Sequence, residues 1–176
     1  MPDALILRRP TLDEEDEFLR AHRATTPESP TFLHDYHEGM SLARYLETLA
    51  ERERGVNLPL NHVPSTFLFA FTGSRIVGRL AIRHALNDIL ERVGGHIGYI
   101  VVPEFRRQGH ATEILRQALR VARDQLGLGR VLVTCDDDNV GSIRTIEKNG
   151  GILDEIVSGP NLDRPKRRYW IDTRRS

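Results

Sequence analysis

The chain has 176 residues, of which 39% are apolar and 28% charged, enough apolar material for one buried core in a soluble globular protein. Twenty-five basic side chains balance twenty-five acidic ones, so no net field draws the chain to nucleic acid or a lipid surface, and neither is expected as a partner. The lone Cys135 excludes an internal disulfide and suits a reducing compartment.

The N-terminus lacks the basic and apolar regions of a signal peptide, and no apolar run reaches the roughly 18 residues of a membrane helix. A cytoplasmic location is expected. Ala4 to Arg8 reads as a strand, and Thr11 with Glu14 forms a capping box for a helix running to about Arg23. Prolines at 27 and 30 mark a long loop over 24–40. Ser41 then caps a second helix through about Arg54, with Leu42, Tyr45, Leu46 and Leu49 at helical spacing. Thr66–Thr72 and Arg75–Arg83 are β-rich runs joined by Gly73-Ser74, a hairpin signal. A helical turn or two over Ala85–Arg92 is broken by Gly94-Gly95, and His96–Val102 is the next strand.

The clearest helix follows: Ala111, Ile114, Leu115, Ala118, Leu119, Ala122 and Leu126 keep one apolar face, and Gly127 and Gly129 end it. Arg130–Cys135 is a buried strand. Asp136-Asp-Asp-Asn139 leads into a short helix that stops at Asn149-Gly-Gly151, and Ile152–Val157 and Arg167–Ile171 are closing strands. With no repeat, low-complexity segment or linker, residues 1–176 read as one domain.

Chemistry gathers where the strand ending at Pro103 passes through Arg106-Arg107 to Gly109 and a helix start. Unpaired N–H groups and the helix dipole make such a junction an anion site. It has neither the Gly-Lys pair of a Walker A loop nor the Gly-x-Gly-x-x-Gly of a dinucleotide fold.

Arg106-Arg-Gln-Gly-His-Ala111 resembles the acyl-CoA motif of the GNAT N-acetyltransferase superfamily, Arg/Gln-x-x-Gly-x-Gly/Ala. The preceding Val101-Val-Pro-Glu-Phe-Arg106 resembles that family's fourth-strand ending. Asn139-Val-Gly-Ser142 followed by Glu147-Lys-Asn-Gly150 resembles its second cofactor motif. The resemblance covers roughly residues 66–157. It implies an α+β fold with a central mixed, mostly antiparallel sheet of about seven strands flanked by helices.

It also implies acetyl-CoA as co-substrate and no metal. Ile100, Val101 and Val102 would run along the pantetheine arm. Arg106, Arg107, Gln108, Gly109, His110, Ala111 and Thr112 would take the pyrophosphate, and Asn139 and Ser142 would meet the arm from the other side. The reaction implied is direct attack on the thioester by a primary amine, on a small molecule, an amino acid or a peptide N-terminus. A lysine-like amine, pKa about 10.4, must first lose a proton. His96 stands near the register of the family's base, and Ser142 is placed to orient the thiol.

Many members carry a tyrosine acid seven residues after the asparagine, where this chain has Ile146. That substitution motivates a rival reading, a non-catalytic acyl-CoA sensor. Arg83-His-Ala-Leu-Asn87 resembles a stretch shared by uncharacterised bacterial members of the family. Arg83, His84 and Asn87, with Tyr99, are therefore expected to bind the acceptor, which would be polar or carboxylate-bearing. The edge strands of such folds often support a homodimer. His34-Asp-Tyr-His37 has the look of a metal pair, but no cysteine or second histidine pair supports one.

Overall fold

A computed structural model describes residues 4–175; the reading of the first three residues lies outside them. The period-two runs become β1 (Leu5–Arg8), β2 (Ser65–Thr72), β3 (Arg75–Arg83), β4 (Ile97–Val101), β5 (Arg130–Asp136), β6 (Ile152–Val157) and β7 (Lys166–Asp172). They lie in one sheet in the order β1-β2-β3-β4-β5-β7-β6. Every neighbouring pair is antiparallel except β4 and β5. This is the α+β fold with a mixed, mostly antiparallel sheet that the sequence implies.

The helices are α1 (Glu15–Thr25), α2 (Leu42–Glu53), α3 (His110–Asp124) and α4 (Val140–Lys148). Their starts have local causes. Thr11 N–H donates to Glu14 Oε2 at 2.8 Å, and a 3-10 turn over Leu12–Glu14 leads into α1. The Ser41 Oγ accepts from the Arg44 N–H at 3.2 Å, opening α2. α3 ends at Asp124, earlier than its glycines suggest, and Gly127 turns the chain with φ +66° three residues on.

Cross-strand partners point to the same side of a sheet, so register sorts the residues into two faces. Phe67, Ala81 and Gly98 are partners in sequence across β2, β3 and β4, whereas Leu80 faces Tyr99. The first face is covered by α1 and α2, where Phe18, Tyr45 and Leu49 pack on Phe67, Phe69 and Phe71. The second is covered by α3 and α4, where Ile114, Leu115, Leu119 and Ile146 pack on Leu80, Val131 and Val133. Each fully buried Leu, Ile or Phe contributes roughly 1.5–3 kcal/mol by the area it removes from water.

Two features position the site. The parallel pair β4–β5 is held in strand register only at Ile97 and Val133, so the two strands diverge beyond that point. Ahead of it, Leu90–Gly94 forms one π-helical turn, and Gly95 at φ +65° swings the chain onto β5. A Cβ on Gly95 would stand 2.6 Å from the Leu132 carbonyl oxygen, so only glycine lets this turn approach so closely. No helix among the described residues is long and apolar enough to cross a membrane.

Candidate active site

The gap between β4 and β5 opens into a cleft of ≈ 750 Å³, and both sequence motifs meet there. One wall is the basic turn. Arg107 and Gly109 both take left-handed backbone, φ +62° and φ +87°. Such residues within a turn aim successive N–H groups inward as an anion-binding nest. Gly109 has open space around the place where a Cβ would stand, so its backbone faces room rather than protein. The first helical bond of α3 runs from the Glu113 N–H to the Gly109 carbonyl, which leaves the N–H groups of His110, Ala111 and Thr112 for a ligand.

The side chains of the turn divide. Arg106, Arg107, Ala111 and Thr112 line the cleft; Gln108 and His110 do not. Gln108 turns back to donate from Nε2 to the Glu104 carbonyl at 3.1 Å, and His110 stacks edge-on against Phe105. Those two can offer backbone only. Arg106 is paired with Glu28 and also donates to the Val101 carbonyl. Along β4, Ile100 and Val101 line the cleft, while Val102 is fully buried in the α1–α2 core. The Val102 N–H is bonded to Val77 of β3, so by alternation Tyr99 and Val101 turn their backbone groups toward the gap.

The opposite wall is the start of α4. Asn139 caps the helix, its Oδ1 accepting from the Ser142 N–H at 3.0 Å. Asn149 Nδ2 donates to the carbonyls of Thr145 and Thr112, at 2.9 and 3.2 Å, and so locks α4 to α3. Arg144 and Lys148 also line the cleft, and neither has an ion pair among the described residues. Sequence reasoning missed both. Their spacing from Asn139 along one helix was the available signal. Asp136, Asp137 and Asp138, which could have offset this charge, are paired with Lys166, Arg167 and Arg164. The cleft is a cationic channel suited to a phosphorylated ligand.

Two residues bear on chemistry. The Tyr99 hydroxyl is buried in the cleft beside α4 and makes no hydrogen bond in good geometry. Burial pushes its phenol up to about 12, against a smaller opposing pull from the Ser142 and Thr145 hydroxyls. A buried donor with no well-aligned protein partner can bond a group bound in the cleft. Ile146, the position of the family's usual tyrosine, is fully buried in the core.

His96 sits where the strands are still joined. Its Nδ1 accepts from the Leu132 backbone N–H at 2.9 Å, and the His96 backbone N–H donates to the Leu132 carbonyl at 2.7 Å. A backbone N–H can only donate, so the neutral ring carries its proton on Nε2 and has no free lone pair. Burial, then Arg83, pushes the imidazole down to about 4, which keeps it neutral.

The residues expected at the acceptor also divide. Arg83 and Asn87 line a second cavity of ≈ 300 Å³ on the α1–α2 side. His84 does not; its Nε2 lies 2.9 Å from the Thr66 hydroxyl and its N–H bonds Pro64. Tyr99 belongs to the cofactor cleft on the other face.

A family model described as a GNAT acetyltransferase domain matches residues 4–152. No curated protein sequence matches the chain. Among solved structures, the fold is shared with the Microcin C7 self immunity acetyltransferase MccE, in complex with acetyl-CoA and AMP. That match has a TM-score of 0.68 and 16% identity over 97% of this chain and 93% of that one. RimL, a ribosomal alpha-N-protein acetyltransferase in complex with coenzyme A, gives 0.69 and 16% over 96% and 93%. Mycobacterium smegmatis RimJ gives 0.70 and 16% over 98% and 84%.

Proposed function

The chain belongs to the GNAT acetyltransferase family, and on that footing we propose that it is an N-acetyltransferase that moves acetyl from acetyl-CoA to a primary amine in the β4–β5 cleft. The observation that carries this reading is the convergence of two anion-seeking helix starts, α3 and α4, on one gap in the sheet. Acetyl-CoA supplies an activated thioester there. The nest from Arg107 to Thr112 would hold its pyrophosphate, with Arg106, Arg144 and Lys148 adding charge. Asn139, Ser142 and the gap-facing backbone of Tyr99 and Val101 would align the arm.

In the reaction the deprotonated amine nitrogen bonds to the acetyl carbonyl carbon, the carbon–sulfur bond breaks, and the departing thiolate takes a proton. Tyr99 is the donor for that proton in this reading. Its buried hydroxyl stands beside Ser142 on the α4 side of the cleft, where Ile146 has nothing to give. The base role expected of His96 is not carried forward, because its Nδ1 is spent on Leu132; His96 joins β4 to β5 below the gap. The amine loses its proton to water. The nonacidic position at Ile146 therefore does not by itself favour a silent sensor.

Gly109→Glu would set a carboxylate on a left-handed residue inside the anion nest. Calorimetry with coenzyme A should then find binding reduced at least tenfold, and an unchanged affinity would refute the site. Release of free thiol from acetyl-CoA on addition of amines tests the activity. Retained coenzyme A binding without turnover of any amine would favour the sensor.

A further inference from the structure

The second cavity is lined by residues from separate parts of the chain: Arg83 at the end of β3, Arg52 on α2, His34 in the loop before α2, Asn61 in the loop after it and Asn87 in the loop after β3. Its charge balance is unusual. Arg83 is half-buried; its Nη1 donates to the Gly94 and Gly95 carbonyls at 3.1 and 3.0 Å, and no carboxylate among the described residues lies within ion-pair distance. Arg79 stands directly behind, 5.3 Å above the Phe67 ring that lines the cavity, and is almost fully buried. It too is bonded only to carbonyls, those of Phe32 and Thr31. Arg52 is paired with Asp35, the one acid of the cluster. His34, surrounded by these guanidiniums, is pushed down to about 4 by burial and then by their charge, so it is a neutral hydrogen-bonding group. Arg79 thus lies out of water, and Arg83 partly so, with no carboxylate partner among the described residues.

Buried charges are ordinarily paired, because leaving a guanidinium without a counter-charge in low dielectric is expensive. The planar fork of arginine matches a carboxylate with two parallel bonds. The position is equally telling. Arg83 Nη1 lies 4.0 Å from where a Cβ on Gly98 would stand, and Gly98 immediately precedes Tyr99 and Ile100 of the cofactor cleft. A carboxylate held by Arg83 would therefore sit across β4 from the reactive end of that cleft. A cavity of ≈ 300 Å³ is at the small end of ligand pockets, the scale of an amino acid rather than a folded partner.

We propose that the Arg83–Arg52–His34 cavity is a carboxylate subsite, and that the amine acetylated by this protein belongs to a small amino acid. The proposal rests on the acetyltransferase reading above for the transfer step but not for the binding step. Its test is thiol release from acetyl-CoA by the full chain with L-amino acids and with their carboxamides. At least one amino acid should show a KM tenfold or more below that of its carboxamide. In Arg83→Gln the amino-acid KM should rise tenfold or more while the carboxamide KM scarcely moves, and Arg83→Lys should recover part of the loss. Equal use of acids and amides, or equal weakening of both in Arg83→Gln, would overturn it.

Because Arg83 also pins the Gly94–Gly95 turn, Arg52→Gln provides a second variant that should show the same acid-selective loss. Should no amine be turned over, calorimetry with succinate alone and coenzyme A alone separates the two readings. Succinate bound by the wild type and lost in Arg83→Gln, with coenzyme A unbound, sinks the acetyltransferase assignment and keeps the carboxylate site. Absence of succinate binding overturns the carboxylate site whatever coenzyme A does.

Discussion

Tyr99 shows how one side chain can be read differently alone and in place. Alternation along β4 puts it on the opposite face from Gly98 and Ile100, against α4 rather than over the acceptor cavity. Its hydroxyl is therefore available to the thiol end of the cleft, where Ser142 and Thr145 face it. Tyr99→Phe keeps the ring and removes only the donor. We expect kcat to fall by about 100-fold, in the range typical of a lost general acid, with coenzyme A affinity unchanged. Parallel losses in kcat and coenzyme A affinity would instead make Tyr99 a packing residue. Cys135, also buried near this hydroxyl, has its thiol pushed up to about 11 by burial and is no rival as a nucleophile.

At the scale of elements, the turn before α3 stores conformational strain where the ligand is to bind. Arg107 at φ +62° pays for a left-handed backbone that glycine would adopt freely. Arg107→Gly relieves that strain but adds unfolded-state entropy, two effects of about 1 kcal/mol each and opposite sign. The denaturation midpoint should barely move, while coenzyme A affinity drops several-fold with the lost cation. A large loss of stability would show that Arg107 holds the turn together rather than serving the anion. α3 and α4 enter the site as one unit, since Asn149 ties their backbones together at Thr112 and Thr145.

Across the whole molecule, the histidines couple stability to pH. His34 and His96 are both pushed down to about 4 from an ordinary value near 6.5, chiefly by burial, and His22, His84 and His110 are shifted the same way. The unfolded chain takes up protons first as pH falls, so stability is full above about 6.5 and drains away on approach to about 4. Urea midpoints should be clearly lower at about pH 5 than at about pH 7.5, and the double variant His34→Gln/His96→Gln should show a flatter dependence. An identical slope in that variant would mean that these two rings are not the titrating groups.

The amino-acid sequence by itself determined the features whose cause is local. The apolar stripe of α3, the Ser41 and Asn139 caps, the Gly73-Ser74 hairpin and the strand-to-helix junction at Gly109 follow from residues within a turn or two of one another. The two-part motif also carried the family and, with it, the mixed, mostly antiparallel sheet; the strand order came from the tertiary structure. What only the tertiary structure decided depends on residues far apart in the chain. The bond from Leu132 to His96 fixes that ring's tautomer across 36 positions. Arg52 and His34 reach Arg83 from the N-terminal third, where the motifs gave no guide, and His84 turns away to Thr66. Strand pairing and burial set these relations, and a spacing rule sees neither. A linear reading could find the anion-binding turn because its ligand groups are consecutive backbone N–H groups, but it could not find the unpaired guanidiniums, because absence of a counter-charge is a property of the packed interior.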